Sequence, residues 1–250
     1  MPAEESTAAI VLRARDYSES DRIVTLLTRE FGKLSGIAKG AKASRRRFER
    51  KLEPFSHVTL FFRRRPQGQL VFITRAEAGD AMPPLEDDLA KIALGSYMLE
   101  LADALTSEEA EAADAYQVLA RALGTLGGGA VTLAMRQSFE LNLLRAAGFG
   151  LEFAHCRICG LADADGGGAV YFVVARGGIV CAQCRPQAPE GAVRLAAINA
   201  AALAALAAAP IEDAAVLAQA GTDGALAIAR FLASILDRKL RSVDFLDSLL

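Results

Sequence analysis

The chain has 250 residues, is 52% hydrophobic and carries a formal net charge of −2. That composition can bury a core and excludes a disordered chain. No run has the length and apolar character of a membrane-spanning helix, the Ala-rich segment Leu195–Pro210 coming nearest. The start Met1-Pro2-Ala3-Glu4-Glu5 lacks the basic and apolar segments of a secretory signal, so a cytoplasmic location is expected. The charge is unevenly spread: 16 Lys/Arg against 8 Asp/Glu through residue 75, and 12 against 22 beyond it. A basic head on an acidic body points to a polyanionic partner for the head.

Residues 8–78 read as β-structure. Ala8–Arg15, Arg22–Thr28, Lys33–Lys39, His57–Arg63 and Leu70–Ala76 are short runs rich in Val, Ile, Leu, Phe and Thr. Asp16–Asp21, Glu30-Phe31-Gly32 and Pro66-Gln67-Gly68 separate them as turns. Between the third and fourth runs lies the long, partly helical stretch Gly40–Pro54. Five strands with an insertion after the third is the order of an OB-fold barrel. After Pro83-Pro84 the pattern turns helical over Leu85–Leu105, with Glu86, Asp87 and Asp88 in the first turn. Ala110–Leu126 and Ala130–Ala147 are expected helices on either side of Gly127-Gly128-Gly129. A cysteine module follows, with a hairpin from Ala169–Ala175 and Gly178–Cys181 around Arg176-Gly177. Val193–Ala209, Ala214–Ala218 and Gly224–Leu240 return to helix. The expected class is α+β: an OB-fold barrel in residues 1–80, helices in 81–152, an inserted metal module in 153–190, and helices again in 191–250.

The four cysteines form two pairs, Cys156-x-x-Cys159 and Cys181-x-x-Cys184. Two residues between thiolates let both reach one ion, and four thiolates complete a tetrahedral Zn²⁺ site. One structural Zn²⁺ held by Cys156, Cys159, Cys181 and Cys184 is expected, with no open position for catalysis. A dithiol redox pair is the alternative. His155 is a spare ligand or a loop histidine.

Lys33, Lys39, Lys42, Arg45, Arg46, Arg47, Arg50 and Lys51 fall within nineteen residues, opposed by Glu49 alone. Arg63-Arg64-Arg65 adds a second cationic knot. Cations gathered in the long loop of a barrel make a groove that tracks phosphates. The alternative is a solvated charged face. Phe48 and Leu52, four apart, are expected to pin the loop to the barrel and leave Arg46, Arg47 and Arg50 outward. On the fourth strand Phe61 shares a face with Thr59 and Arg63, which makes it a candidate stacking ring, with core packing as its other role. Phe55 and Phe72 read as core. No phosphate-binding P-loop, GxGxxG, HExxH or GxSxG occurs, and two histidines leave little material for a His-based triad. Arg13, Asp16, Glu19, Asp21 and Arg22 form a charged turn. It reads as salt-bridged, or else as a metal-dependent nuclease site built on Asp16, Glu19 and Asp21. A non-DNA adaptor whose basic head binds an acidic protein is a further alternative.

The stretch VLRARDYSESDRIVTLLTREFGKLSGIAKGAK resembles the RecO family of bacterial DNA repair and recombination mediators. The resemblance is carried by Arg13 to Tyr17, Glu19-Ser20-Asp21-Arg22, Thr28 to Lys33, Lys39-Gly40-Ala41 and Leu52-Glu53-Pro54-Phe55-Ser56. It extends to the ending Arg238-Lys239-Leu240-Arg241-Ser242 through Phe245-Leu246. It implies a DNA-binding protein that is not an enzyme, has no nucleotide cofactor and works at the nucleoid. Such proteins bind single- and double-stranded DNA and anneal complementary strands. With RecR, and in many systems RecF, they help RecA replace the single-strand-binding protein. DNA contact is expected at Lys33, Lys39, Lys42, Arg45, Arg46, Arg47, Arg50, Lys51, Phe61 and Arg63.

Overall fold

The computed structural model describes residues 3–48, 50–64, 70–80, 85, 88–108, 110–162 and 168–249, without the side chains of Arg45 and Arg46. Pro66-Gln67-Gly68, Pro83-Pro84, Glu86 and Asp87, singled out above, lie outside the described residues. The chain divides into two compact units, 1–128 and 129–250. The division falls within the first helical segment read from the sequence.

In the first unit, β1 (Glu5–Asp16), β2 (Arg22–Thr28), β3 (Gly32–Ala38), β4 (His57–Arg63) and β5 (Val71–Ala78) close a barrel in the order β1-β2-β3-β5-β4. The long strand β1 pairs antiparallel with both β2 and β4, and its register shifts between Val11 and Arg13. A short parallel pairing, Gly36 to Val71 and Ile37 to Phe72, completes the closure. Ala9, Val11, Val24, Leu26, Leu34, Leu60, Phe62 and Ile73 fill the interior. The one-turn helix α1 (Arg45–Phe48) sits in the loop after β3, and Phe48 and Leu52 plug the barrel core as their spacing predicts. Phe55 and Phe72 depart from expectation, being only half-buried. Phe55 adopts φ 71° and sits against Gly95, where an added Cβ would come within 2.9 Å of its ring.

Ala9–Leu12 on β1 and Ile23–Thr28 on β2 are buried throughout rather than alternately. A strand covered on both faces reads as a continuous apolar run. The outer cover is α2 (Leu89–Leu105) and α3 (Ala113–Gly128), which pack on β1 and belong to the barrel's unit. Asp88 caps α2 by accepting from the backbone N–H groups of Ala90 and Lys91. The glycine triplet does not end α3 where expected: Gly127 and Gly128 stay helical, and Lys91 Nζ donates to the Gly127 carbonyl at 2.8 Å. His57 Nε2 and Tyr116 Oη lie 2.5 Å apart, joining β4 to α3.

The second unit contains α4 (Leu133–Ala146), α5 (Ala197–Ala208), α6 (Thr222–Ile235), α7 (Ser242–Asp247) and the sheet β7-β6-β8. Its strands are β6 (Ala169–Val173), β7 (Gly178–Val180) and β8 (Val193–Ala196). Helix is expected from Val193, but residues 193–196 are a strand. Val193 and Leu195 are buried, Arg194 and Ala196 exposed, and that period of two pairs them with Phe172 and Val170 on β6. The short helix expected at Ala214–Ala218 is a 3₁₀ segment at Ile211–Ala215, and α7 has no counterpart among the expected elements. α4 crosses the interior and carries buried polar groups that are all engaged. Gln137 makes both backbone-like bonds to Ala220, at 2.9 and 3.0 Å. Glu140 pairs with Arg136 at 2.9 Å.

Gly32 is where the first unit is least tolerant. It has φ +63°, and a Cβ there would lie 1.8 Å from the Ala110 carbonyl oxygen. Gly32→Ala is expected to cost ~2 kcal/mol or more, from left-handed backbone plus the displaced 106–112 connection. A urea melt checks this, and an unshifted midpoint shows that the connection does not pack on the β2–β3 turn.

Candidate nucleic-acid interface and metal centre

The cationic loop is tied down by the turn between β1 and β2. Asp21 accepts from the Gly40 N–H at 2.9 Å, and this bond holds its carboxyl below the usual range. Asp16 takes Lys42 at 2.9 Å and Arg22 at 3.1 Å, and the Lys42 hydrogen bond likewise lowers its pKa. Arg22 reaches on to Glu53 at 2.6 Å, near the far end of the loop. Lys42 Nζ also donates to the Ser18 carbonyl at 3.1 Å. Turn and loop are thereby laced into one surface. Between them is a polar cleft of about 370 Å³ lined by Arg22, Lys42, Ser44, Arg50 and Glu53 over Phe48 and Leu52.

The expected contact residues fall into distinct places. Lys39, Lys42, Arg47 and Arg50 are exposed on this surface, and Lys51 is half-buried. Arg47 is oriented by donating to Ser44 Oγ and the Lys39 carbonyl, with its guanidinium 5.0 Å from the Phe48 ring centroid. Arg50 holds φ 50°, a left-handed conformation uncommon outside glycine. Arg45 and Arg46 lie on α1, their side chains outside the described residues, as is Arg65. Lys33 points elsewhere: its Nζ donates to the Asp103 carbonyl at 2.6 Å and pairs with Oδ1 at 3.2 Å, the two side chains only 13% and 10% exposed. Phe61 is half-buried, and Arg75 sits 3.5 Å above its ring centroid, anchored by Glu4 and Glu77. The ring thus stacks on a cation of its own chain. Arg63, half-buried, ends β4, and neighbouring Arg64 pairs with Glu5 at 3.3 Å.

The salt-bridged turn around Arg22 matches the expectation, whereas the structuring roles of Arg75 and Asp103 were not legible in advance. Only the register could reveal Arg75, which lies directly across from Phe61 on β5. Asp16 and Asp21 are consumed as ties for the loop, and Glu19 is exposed. Among the described residues, the group of three or more potential ligands that converges is the cysteine quartet. Asp16, Glu19 and Asp21 do not converge as a ligand group among the described residues.

The sulfurs of Cys156, Cys159, Cys181 and Cys184 all lie within 4.8 Å of one another, and Cys159 and Cys181 are 3.9 Å apart. A tetrahedron with metal–sulfur bonds of ~2.3 Å has sulfur–sulfur edges of about 3.8 Å, so the quartet fits one ion. Burial opposes ionisation of Cys156, but N–H groups of Cys159, Cys181 and Ile158 outweigh it and bring the thiol to about 6. Burial, reinforced by hydrogen bonds from the other three cysteines, pushes Cys184 up to about 12. Four clustered thiols resist joint ionisation, and a bound cation removes that resistance. His155 is outside the quartet and pairs with Glu152 at 3.6 Å. Val173 and Val180 of the β7-β6-β8 sheet pack against the cysteines, so the hairpin positions the two pairs.

The family described as Recombination protein O N terminal matches residues 1–82, and Recombination protein O C terminal matches residues 86–244. The chain is 39% identical over 240 residues to the DNA repair protein RecO of Anaeromyxobacter sp. (strain Fw109-5), covering 95% of this chain and 93% of that protein. It is 33% identical over 246 residues to the DNA repair protein RecO of Symbiobacterium thermophilum, covering 96% and 95%. To that of Nocardioides sp. it is 34% identical over 251 residues, covering 96% and 97%. No helix among the described residues is long and apolar enough to cross a membrane.

Three outcomes follow from the site geometry. Because the thiols must lose protons to bind, metal retention should be complete near pH 8 and fall on dialysis toward pH 5, read as bound metal per chain. Cys156→Ala with Cys159→Ala should abolish metal content and lower the melting temperature of the second unit. Lys33→Ala should destabilise the first unit by ~2 kcal/mol in urea, since it removes the charged donor to Oδ1 and to the carbonyl of the largely buried Asp103, which keeps Arg13 at 3.4 Å on its other oxygen.

Proposed function

The chain belongs to the RecO family of DNA repair proteins, which are mediators rather than enzymes, and from that premise we propose that it is a recombination mediator that anneals complementary DNA strands. It binds single- and double-stranded DNA and, with RecR, helps load RecA on gaps coated with single-strand-binding protein. RecF joins this assembly where it is used. It works in the cytoplasm, at the nucleoid.

The observation that carries this reading is the ordered cationic loop at the barrel rim. Lys39, Arg47 and Arg50 are exposed there and form no close ion pair among the described residues, Lys39 acting on Asp21 only at longer range, while Asp16 and Asp21 hold the loop's backbone and base. Phosphates of two strands neutralised on one such surface repel each other less, and that lowers the barrier to pairing. Lys42, Lys51 and Arg63 join this core as contacts, as do Arg45 and Arg46 of the same loop. Lys33 supports it from below through Asp103. Phe61 contributes through its Arg75 stack to the shape of the barrel face rather than as an open ring. The helices of the second unit take the partner proteins. The metal is one Zn²⁺, the ion best suited to four thiolates in closed tetrahedral coordination. Bound there it braces the fold and leaves no open coordination position.

If roughly five cations meet single-strand phosphates, log affinity falls with log salt at a slope of about −3.5. The triple variant Lys39→Ala, Arg47→Ala, Arg50→Ala should flatten that slope by about 2 and slow strand annealing. An unchanged slope in a folded triple variant removes the loop from the interface.

A further inference from the structure

We propose that the cysteine-bearing face of the β7-β6-β8 sheet is a second single-strand nucleic-acid contact, where Tyr171 stacks on a base and Arg185 and Arg194 neutralise flanking phosphates. The residues converge through the fold. Val170 and Phe172 of β6 turn inward, Phe172 to the rings of Phe153 and Phe231 at 5.4 and 6.4 Å. Tyr171 therefore turns to the opposite face, shared with Val173 and the cysteines, and is half-buried there. Arg194 lies directly across from it on β8 and is exposed. Directly opposed strand residues have side chains ~5 Å apart, so the Arg194 stem runs beside the Tyr171 ring. Arg185 follows Cys184, and the loop holds its guanidinium 5.3 Å from the Tyr171 ring centroid while it donates to the Ala188 carbonyl at 3.3 Å.

Two contrasts within the chain set this cluster apart. Phe61 is already occupied by Arg75 at 3.5 Å, whereas Arg185 stands off Tyr171 at 5.3 Å. That distance keeps the cation within reach of the ring without the flush stack seen at Phe61. In the acidic body beyond residue 75, Arg145 and Arg230 are held by backbone carbonyls, whereas Arg136 and Lys239 each pair with a carboxylate. Among the described residues, neither Arg185 nor Arg194 has one. An aromatic ring between two cations without acid partners is the recognition chemistry of single strands: stacking is tolerant of base identity, and the cations follow the backbone. The turn that follows Cys184 places Arg185, which gives the cysteine module a role beyond bracing.

The proposal rests on the reading that this protein handles single strands, but not on the barrel loop. The test uses the full, metal-loaded chain and an oligo(dT) carrying a central 2-aminopurine, whose fluorescence reports stacking. Tyr171→Leu should remove the part of the quench due to the sheet and weaken binding about ten-fold, while Tyr171→Phe retains both. Arg194→Ala should flatten the salt slope by about 0.7. The same measurements in the barrel triple variant separate the two sites: residual binding there should depend on Tyr171 and Arg194. A folded Arg194→Ala variant with the parental slope overturns the proposal, as does a parental quench in Tyr171→Leu. If Tyr171→Leu does not fold, Arg194→Ala and Tyr171→Phe decide. Loss of all binding in the barrel triple variant confines DNA to the barrel and also overturns it. Parental behaviour of the triple variant with losses at Tyr171 and Arg194 supports this site and removes the barrel loop instead.

Discussion

The carboxylates of the β1–β2 turn hold the cationic loop against the barrel, and the surface around it depends on that tie. Eight cations within nineteen residues repel one another over a screening length of about 10 Å. Asp16 takes Lys42 and Arg22, Glu53 takes Arg22, and Asp21 takes the Gly40 N–H. Each exposed pair is worth little alone. Together with Phe48 and Leu52, sunk in the barrel core, they fix where the loop's backbone runs. The charge is thereby divided: some of the cations are neutralised to shape the surface, and Lys39, Arg47 and Arg50 remain on it for a polyanion.

The second unit meets a different constraint. Its sheet has three strands of five, three and four residues, too small to enclose a core by itself. One face closes through Phe172 on Phe153 and Phe231. The other closes through the cysteine quartet with Val173 and Val180. The sulfurs of the two pairs, Cys156 with Cys159 and Cys181 with Cys184, converge within 4.8 Å, so one ion held there would cross-link them and offset the missing apolar area. The turn that carries Cys181 and Cys184 also sets Arg185 beside Tyr171, with its guanidinium 5.3 Å from the ring centroid.

Much of the barrel was legible because its signals are local. The five strands stand close to where alternation and turn residues place them, and the Phe48–Leu52 spacing marks the plug. The cysteine quartet was legible because paired spacing is itself the geometry of a metal site. Elements that depend on a partner were not legible. Residues 193–196 carry a helix-like Ala-rich continuation, yet pairing with β6 makes them a strand. The helix α3 runs into glycines that propensity would exclude, because Lys91 satisfies the Gly127 carbonyl.

The sites divide in the same way. Composition alone determined a basic head, an acidic body and a four-thiolate metal site, because charge count and Cys-x-x-Cys spacing need no long-range contact to be read. Tertiary structure decided which charges are free. Lys33 and Lys39 look alike in the sequence, but Asp103, seventy residues away, draws Lys33 into the fold while Lys39 stays on the surface. Phe61 and Tyr171 are both strand aromatics, and only strand register shows that Arg75 lies across from one and Arg194 across from the other. A side chain's charge or ring is written in its own residue; its availability is set by whatever the fold brings beside it.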